Sequence, residues 1–153
     1  MLPIFSILLS FLLLGCGSPL LEEAEAPHSS SHRKKIETIK FKNKNLEAVL
    51  FWVKGPFGDP SKESSFILHL FDQSGAPKDL NEKNLGLFTL MPSMGHGPAD
   101  YGRFRKISEG IYLYEGLYFN MSGVWQMIIE LYEQNKLIDD TSFSILIKLN
   151  ERL

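Results

Sequence analysis

With 153 residues, 44% of them hydrophobic and 22% charged, the chain has an ordinary globular composition and room for a single folded domain. A formal net charge of -2 supplies no basic face, so nucleic acid is excluded as an expected partner. Aromatic residues make up 12% of the chain, eleven of them Phe, which favours strands that bury one face.

The run from Ile4 to Leu14 is almost wholly apolar, too short to span a bilayer as a helix and the right length for a signal-peptide core. It ends in Leu13-Leu14-Gly15-Cys16, which resembles the bacterial lipobox, in which a cysteine receives diacylglycerol and becomes the new N-terminus after cleavage. No Lys or Arg precedes the run. Cys16 is the chain's only cysteine, so an internal disulfide is impossible, and lipidation removes the oddity of a bare thiol in an oxidising envelope. Residues 1–15 are therefore expected to be a lipoprotein signal peptide, with Cys16 holding the mature chain to a membrane of the bacterial cell envelope. Two or more acyl chains, at about 0.8 kcal/mol per buried CH2, anchor stably where one is marginal. Gly17, rather than Asp, follows the cysteine, which implies the outer membrane, facing the periplasm, if the host is Gram-negative.

Residues 16–35 are rich in Ser, Pro, Glu and Ala without apolar period, and read as a flexible tether. His28 and His32 lie in it, either as solvated linker residues or as a loose catch for metal. Residues 36–153 form the expected domain. Leu46 to Val53 alternates, with Leu46, Ala48, Leu50 and Trp52 on one face, and Gly55-Pro56 breaks the pattern. Ser65 to Asp72 sets Phe66, Leu68 and Leu70 against Ile67, His69 and Phe71; His69 reads as a strand-surface residue, with metal ligation as its alternative. A turn over Gln73 to Pro77 precedes a short strand from Leu85 to Met91. Ile111 to Phe119 is an interrupted aromatic strand with bends at Gly110 and Gly116. Trp125 to Leu131 points Trp125, Met127, Ile129 and Leu131 one way, and Glu133 to Lys136 is a hairpin turn. The last strand, about Thr141 to Leu149, buries Phe143, Ile145, Ile147 and Leu149, while Asp139 and Asp140 before it read as solvated charges in a turn. Six or seven short strands at about ten-residue spacing predict an all-β antiparallel sandwich.

Met91-Pro92-Ser93-Met94-Gly95-His96-Gly97 places two thioethers and an imidazole on one turn-rich loop with no acidic residue among them, and Phe119-Asn120-Met121-Ser122-Gly123-Val124-Trp125 adds a third methionine. Soft sulfur with imidazole suits copper, above all Cu(I). The competing account is that Met91 and Met94 fill core gaps, as methionine commonly does, and that His96 is a polar loop tip. Met94, His96 and Met121 are the candidate ligands, Met91 a further one, and Asp100 a candidate second partner for the imidazole.

These fragments, with Asp72 to Pro77 and Gly110-Ile111-Tyr112, resemble the YtkA-like family, related to the FixH-like proteins: small secreted, lipidated or membrane-anchored immunoglobulin-like modules. The match runs over residues 65–132. The resemblance implies an immunoglobulin-like β-sandwich of about seven strands and an envelope role in copper handling or respiratory oxidase assembly, with an envelope copper protein or an oxidase as partner. Family Met and His positions fall on Met91, Met94, His96 and Met121; where many members carry His before the later methionine, this chain has Asn120. The alternative function is a metal-free interaction module in which Trp125, Tyr118 and the loop form a hydrophobic contact. No nucleophile elbow, paired zinc motif or phosphate loop occurs, so no enzyme is expected.

Overall fold

Alternating burial turns the period-two stretches into strands: β1 (Ile39–Lys40), β2 (Leu46–Lys54), β3 (Ser64–Asp72), β4 (Leu85–Leu90), β5 (Arg103–Ser108), β6 (Ile111–Leu117), β7 (Gly123–Glu133) and β8 (Lys136–Ile147). This computed structural model describes residues 38–98 and 101–148. The apolar leader, Cys16, the tether with His28 and His32, Asp100 and Leu149 lie outside the described residues.

All pairings are antiparallel, and they make two sheets, β1-β2-β3-β6-β5 and β4-β7-β8. Setting β1 aside, the order β2-β3-β6-β5 facing β4-β7-β8 is the four-plus-three arrangement of an immunoglobulin constant-type domain. The fold is an immunoglobulin-like antiparallel β-sandwich. Its core lies where the two inner rows meet: Ala48 and Leu50 of β2, Phe66, Leu68 and Leu70 of β3, Tyr112 and Tyr114 of β6, and Trp125, Met127 and Ile129 of β7 are all buried. Each such apolar side chain contributes about 1.5–3 kcal/mol relative to exposure, so inward parity, once set, resists any one-residue slip.

Two strands differ from the sequence expectation. β5 is an additional strand; its sequence, Arg103-Phe104-Arg105-Lys106-Ile107-Ser108, buries only Phe104, because it sits at a sheet edge and turns its cations to solvent. β8 begins at Lys136, directly after a two-residue hairpin in which Gln134 and Asn135 take φ of 51° and 64°, the left-handed pair that a tight hairpin demands. That places Asp139 inside a strand, opposite Leu131, and leaves it 4% exposed rather than solvated. Its carboxylate accepts from the backbone N–H of Asn43 at 2.7 Å and of Lys44 at 2.9 Å, and from Asn43 Nδ2 at 3.3 Å. The charge is thus matched by donors of the β1–β2 loop, as burial of a carboxylate requires. Asp140, pointing the other way, is exposed as expected.

Candidate metal centre

β4 carries an inward row of Leu85, Leu87, Thr89 and then Met91, all buried, so the strand delivers its last inward side chain to the rim of the sandwich. There the chain reverses at once. Met91 N–H donates to the carbonyl of His96 at 2.7 Å, while the Met91 carbonyl accepts from Met94 N–H at 3.1 Å and Gly95 N–H at 2.9 Å. Met91 and His96 form a bridge, and Gly95, at φ 65°, makes the turn. Met94 is lifted to the tip of this hairpin, 55% exposed, with His96 exposed beside it. The His96 ring makes no side-chain hydrogen bond among the described residues, so its nitrogens are not committed to a protein partner there.

The second segment comes to the same rim because β4 and β7 run antiparallel, with Leu90 opposite Gln126. The end of β4 therefore lies beside the start of β7. Gly123 opens β7 at φ 138°, a conformation L side chains rarely adopt, and a Cβ there would collide with Met91 Cε. Two residues on, Trp125 is completely buried, its ring edge-on to Phe119 at 5.0 Å and 67°. Its indole Nε1–H donates to the Met121 carbonyl at 3.1 Å. This side chain near the start of the strand, bonded to backbone a few residues upstream, occupies the role that a tyrosine corner fills in immunoglobulin sandwiches. It holds Phe119-Asn120-Met121 in a fixed bend, with Met121 half-buried against the core.

The sequence-predicted residues consequently divide. Met91 is 6% exposed and is a core side chain; Met94 and His96 stand out in solvent; Met121 lies between these states. Trp125, expected on one account as part of an exposed contact, is buried, because the inward row it shares with Met127 and Ile129 leaves it no outward route. Tyr118 is half-buried. His69 sits on the outer face of β3, in the other sheet, with its ring 5.5 Å from Phe71, so it takes no part in this rim. Among the described residues no three His, Cys, Asp or Glu side chains gather into a metal-holding group. Asn120 contributes a feature that sequence reasoning missed: its Oδ1 is buried without a hydrogen-bond partner, as is Thr89 Oγ1 on the inward row of β4. Unmatched buried oxygens of this kind are uncommon, and a run of Phe, Asn and Met gives no sign of which amide atom will be enclosed.

No protein-family model matches the chain, and no curated protein does. Among solved structures, the crystal structure of the Lin-41 filamin domain is similar, at 16% identity and a TM-score of 0.46, covering 71% of this chain and 96% of that one. The strand order, not this likeness, fixes the fold.

Proposed function

We propose that the chain is a lipid-anchored module of the bacterial envelope, YtkA-like in kind, that binds copper as Cu(I) and serves copper handling or respiratory oxidase assembly. The observation that carries this reading is the antiparallel pairing of β4 with β7, which brings the end of one methionine-bearing segment against the start of the other. Met94 and His96 are the accessible donors, Met121 the donor from the fixed bend, and Met91 a packing residue beneath them. The donor set suits a soft monovalent ion: thioether and imidazole favour copper, and no carboxylate belongs to the hairpin to favour a harder one. Thioethers also survive an oxidising compartment without disulfide loss, although oxidation to sulfoxide would remove them as ligands. Anchoring follows from Cys16 and the role in the envelope from the resemblance.

The test is a Cu(I) titration under reducing conditions against a competing chelator. Wild type is expected to bind at least tenfold more tightly than a Met94→Ala, His96→Ala variant; equal affinities end the copper reading. Replacing Cys16 by Ala is expected to abolish palmitate labelling and release the protein from membranes, and retained labelling would remove the anchor. A metal-free interaction module is the second reading. It is favoured by the exposed Met94 together with Phe88 and Tyr101, whose rings stack at 6.5 Å and 13° on the solvent side of the same strand and strap. In that case the titration shows no specific binding, while alanine at these three positions weakens association with an envelope partner.

A further inference from the structure

The two sheets present unlike faces to the outside. On β4-β7-β8, every outer row that spans all three strands contains a polar side chain: Gly86–Glu130–Asp140, Phe88–Ile128–Ser142 and Leu90–Gln126–Ser144. The five-stranded sheet differs. Pairing sets Val49, His69 and Ile111 in one outer row and Phe51, Ile67 and Leu113 in the next. Phe71 adds its ring 5.5 Å from that of His69, and Val53 extends the grid along β2. Antiparallel strands with one wet face alternate apolar and polar residues, whereas strands covered on both faces read as continuous apolar runs. β3, with Phe66-Ile67-Leu68-His69-Leu70-Phe71, and Ala48 to Val53 of β2 follow the second pattern. Yet among the described residues nothing lies over this face: Val53 is 54% exposed and the other outer side chains of the grid are partly exposed. A contiguous patch of this kind, unlike scattered single residues, marks an interaction surface.

Charge and size select what covers it. Lys40 pairs with Glu47 at 3.0 Å, Lys54 with Glu63 at 3.4 Å and Arg105 with Glu115 at 3.5 Å around the grid. Arg103 alone of these framing charges has no ion-pair partner among the described residues. A frame that satisfies itself gives a strongly charged partner or an anionic surface little to hold, and it meets a copy of itself without repulsion. The chain's own remaining length is a poor cover, since residues 16–35 are rich in Ser, Pro, Glu and Ala. β2 and β3 are each nine residues long, so at about 3.4 Å per residue and 4.8 Å per strand the face spans about 20 by 30 Å. That footprint of about 600 Å², before side-chain relief is counted, approaches the roughly 800 Å² per partner of a stable interface.

We propose that the outer face of the β1-β2-β3-β6-β5 sheet is the contact between two copies of this chain, packed sheet on sheet about a two-fold axis. Such a contact uses the same patch twice, and its two sheets lie about 10 Å apart with their strands within about 30° of each other. The grid becomes a second apolar layer and the ion pairs become its polar rim. His69, the one polar side chain of the grid, is the residue whose burial opposes association. This contact is independent of the copper reading, since none of its residues belongs to the hairpin or the Met121 bend.

The test is sedimentation equilibrium of the purified full chain, with the unfolding midpoint of each variant measured alongside. Wild type is expected to form dimers. Val53→Glu, at an exposed position, and His69→Glu, at a position already polar, should each weaken the dimer at least tenfold with little change in the midpoint. His69→Leu should tighten it, and Ser144→Glu on the opposite sheet should leave it unchanged. A benzophenone side chain placed at Phe51 is expected to photo-crosslink to β2, β3 or β6 of a second copy, and one at Ile128 to give no dimer. A chain that stays monomeric at about 0.1 mM overturns the proposal. Dimers that Val53→Glu and His69→Glu leave intact also overturn it, as do crosslinks from Phe51 to another protein or back to residues 16–35 of the same chain.

Discussion

Met91 and Met94 are three residues apart and chemically identical, yet they belong to opposite halves of the same rim. Met91 continues the inward row of β4 and spends its thioether on packing over Gly123, whereas Met94, one turn later, stands in solvent. The inward row of β4 and the turn that ends it, not the residue type, decide which methionine holds the fold and which remains available to a ligand. A methionine motif therefore has to be divided into strand and turn positions before any of its members is assigned a metal.

That division can be broken most severely from the buried half. Met91→Ala removes a core side chain, and is expected to lower stability by about 2–5 kcal/mol in denaturant unfolding. A loss below about 0.5 kcal/mol, the range of ordinary surface changes, would mean that Met91 is not core. Gly123→Ala should cost about 1–3 kcal/mol, from its backbone conformation and the collision with Met91 Cε. Combining it with Met91→Ala should relieve the collision, so the double variant is expected to be more stable than the sum of the two losses predicts. Strict additivity would separate the two residues. Trp125→Phe keeps a ring in place but deletes the donor to the Met121 carbonyl; about 0.5–1.5 kcal/mol is expected from that hydrogen bond, with faster amide exchange across residues 119–122. The smallest effect on folding belongs to the exposed half: Met94→Ala should change stability by less than about 0.5 kcal/mol. It is nevertheless the single change expected to weaken Cu(I) binding most, at least tenfold. A stability loss at Met94 as large as at Met91 would erase the contrast between them.

Much of the sandwich was legible because burial on one face writes an alternating pattern, as in Ala48 and Leu50, Phe66 to Leu70, and Trp125 to Leu131. The parity that buries Met91 was equally present in Leu85, Leu87 and Thr89, and carrying it one step further places Met91 in the core, while Pro92 to Gly95 leave the strand. The same reasoning applied to Trp125 argues against its use as a contact residue. β5 was not legible, since an edge strand with cations on its exposed positions has little apolar pattern to display. Asp139 was hidden for a different reason. A carboxylate is acceptable in a strand interior only if donors reach it, and its donors at Asn43 and Lys44 lie 96 and 95 residues away in the chain. Convergence of the two methionine segments depended in turn on which strands pair, and that follows from the order β4-β7-β8 rather than from either segment alone.

The Trp125 grip on the Met121 carbonyl also gives the chain an optical gauge. Phe119 lies edge-on between the two tryptophans, 5.0 Å from Trp125 and 6.4 Å from Trp52, so one indole touches the bend and the other sits a ring further away. An event that tugs on Met121, whether ion capture or sulfoxide formation, will alter the emission of the nearer indole before the farther one. Comparing single-tryptophan variants thus turns the bend into its own reporter, with no dye attached.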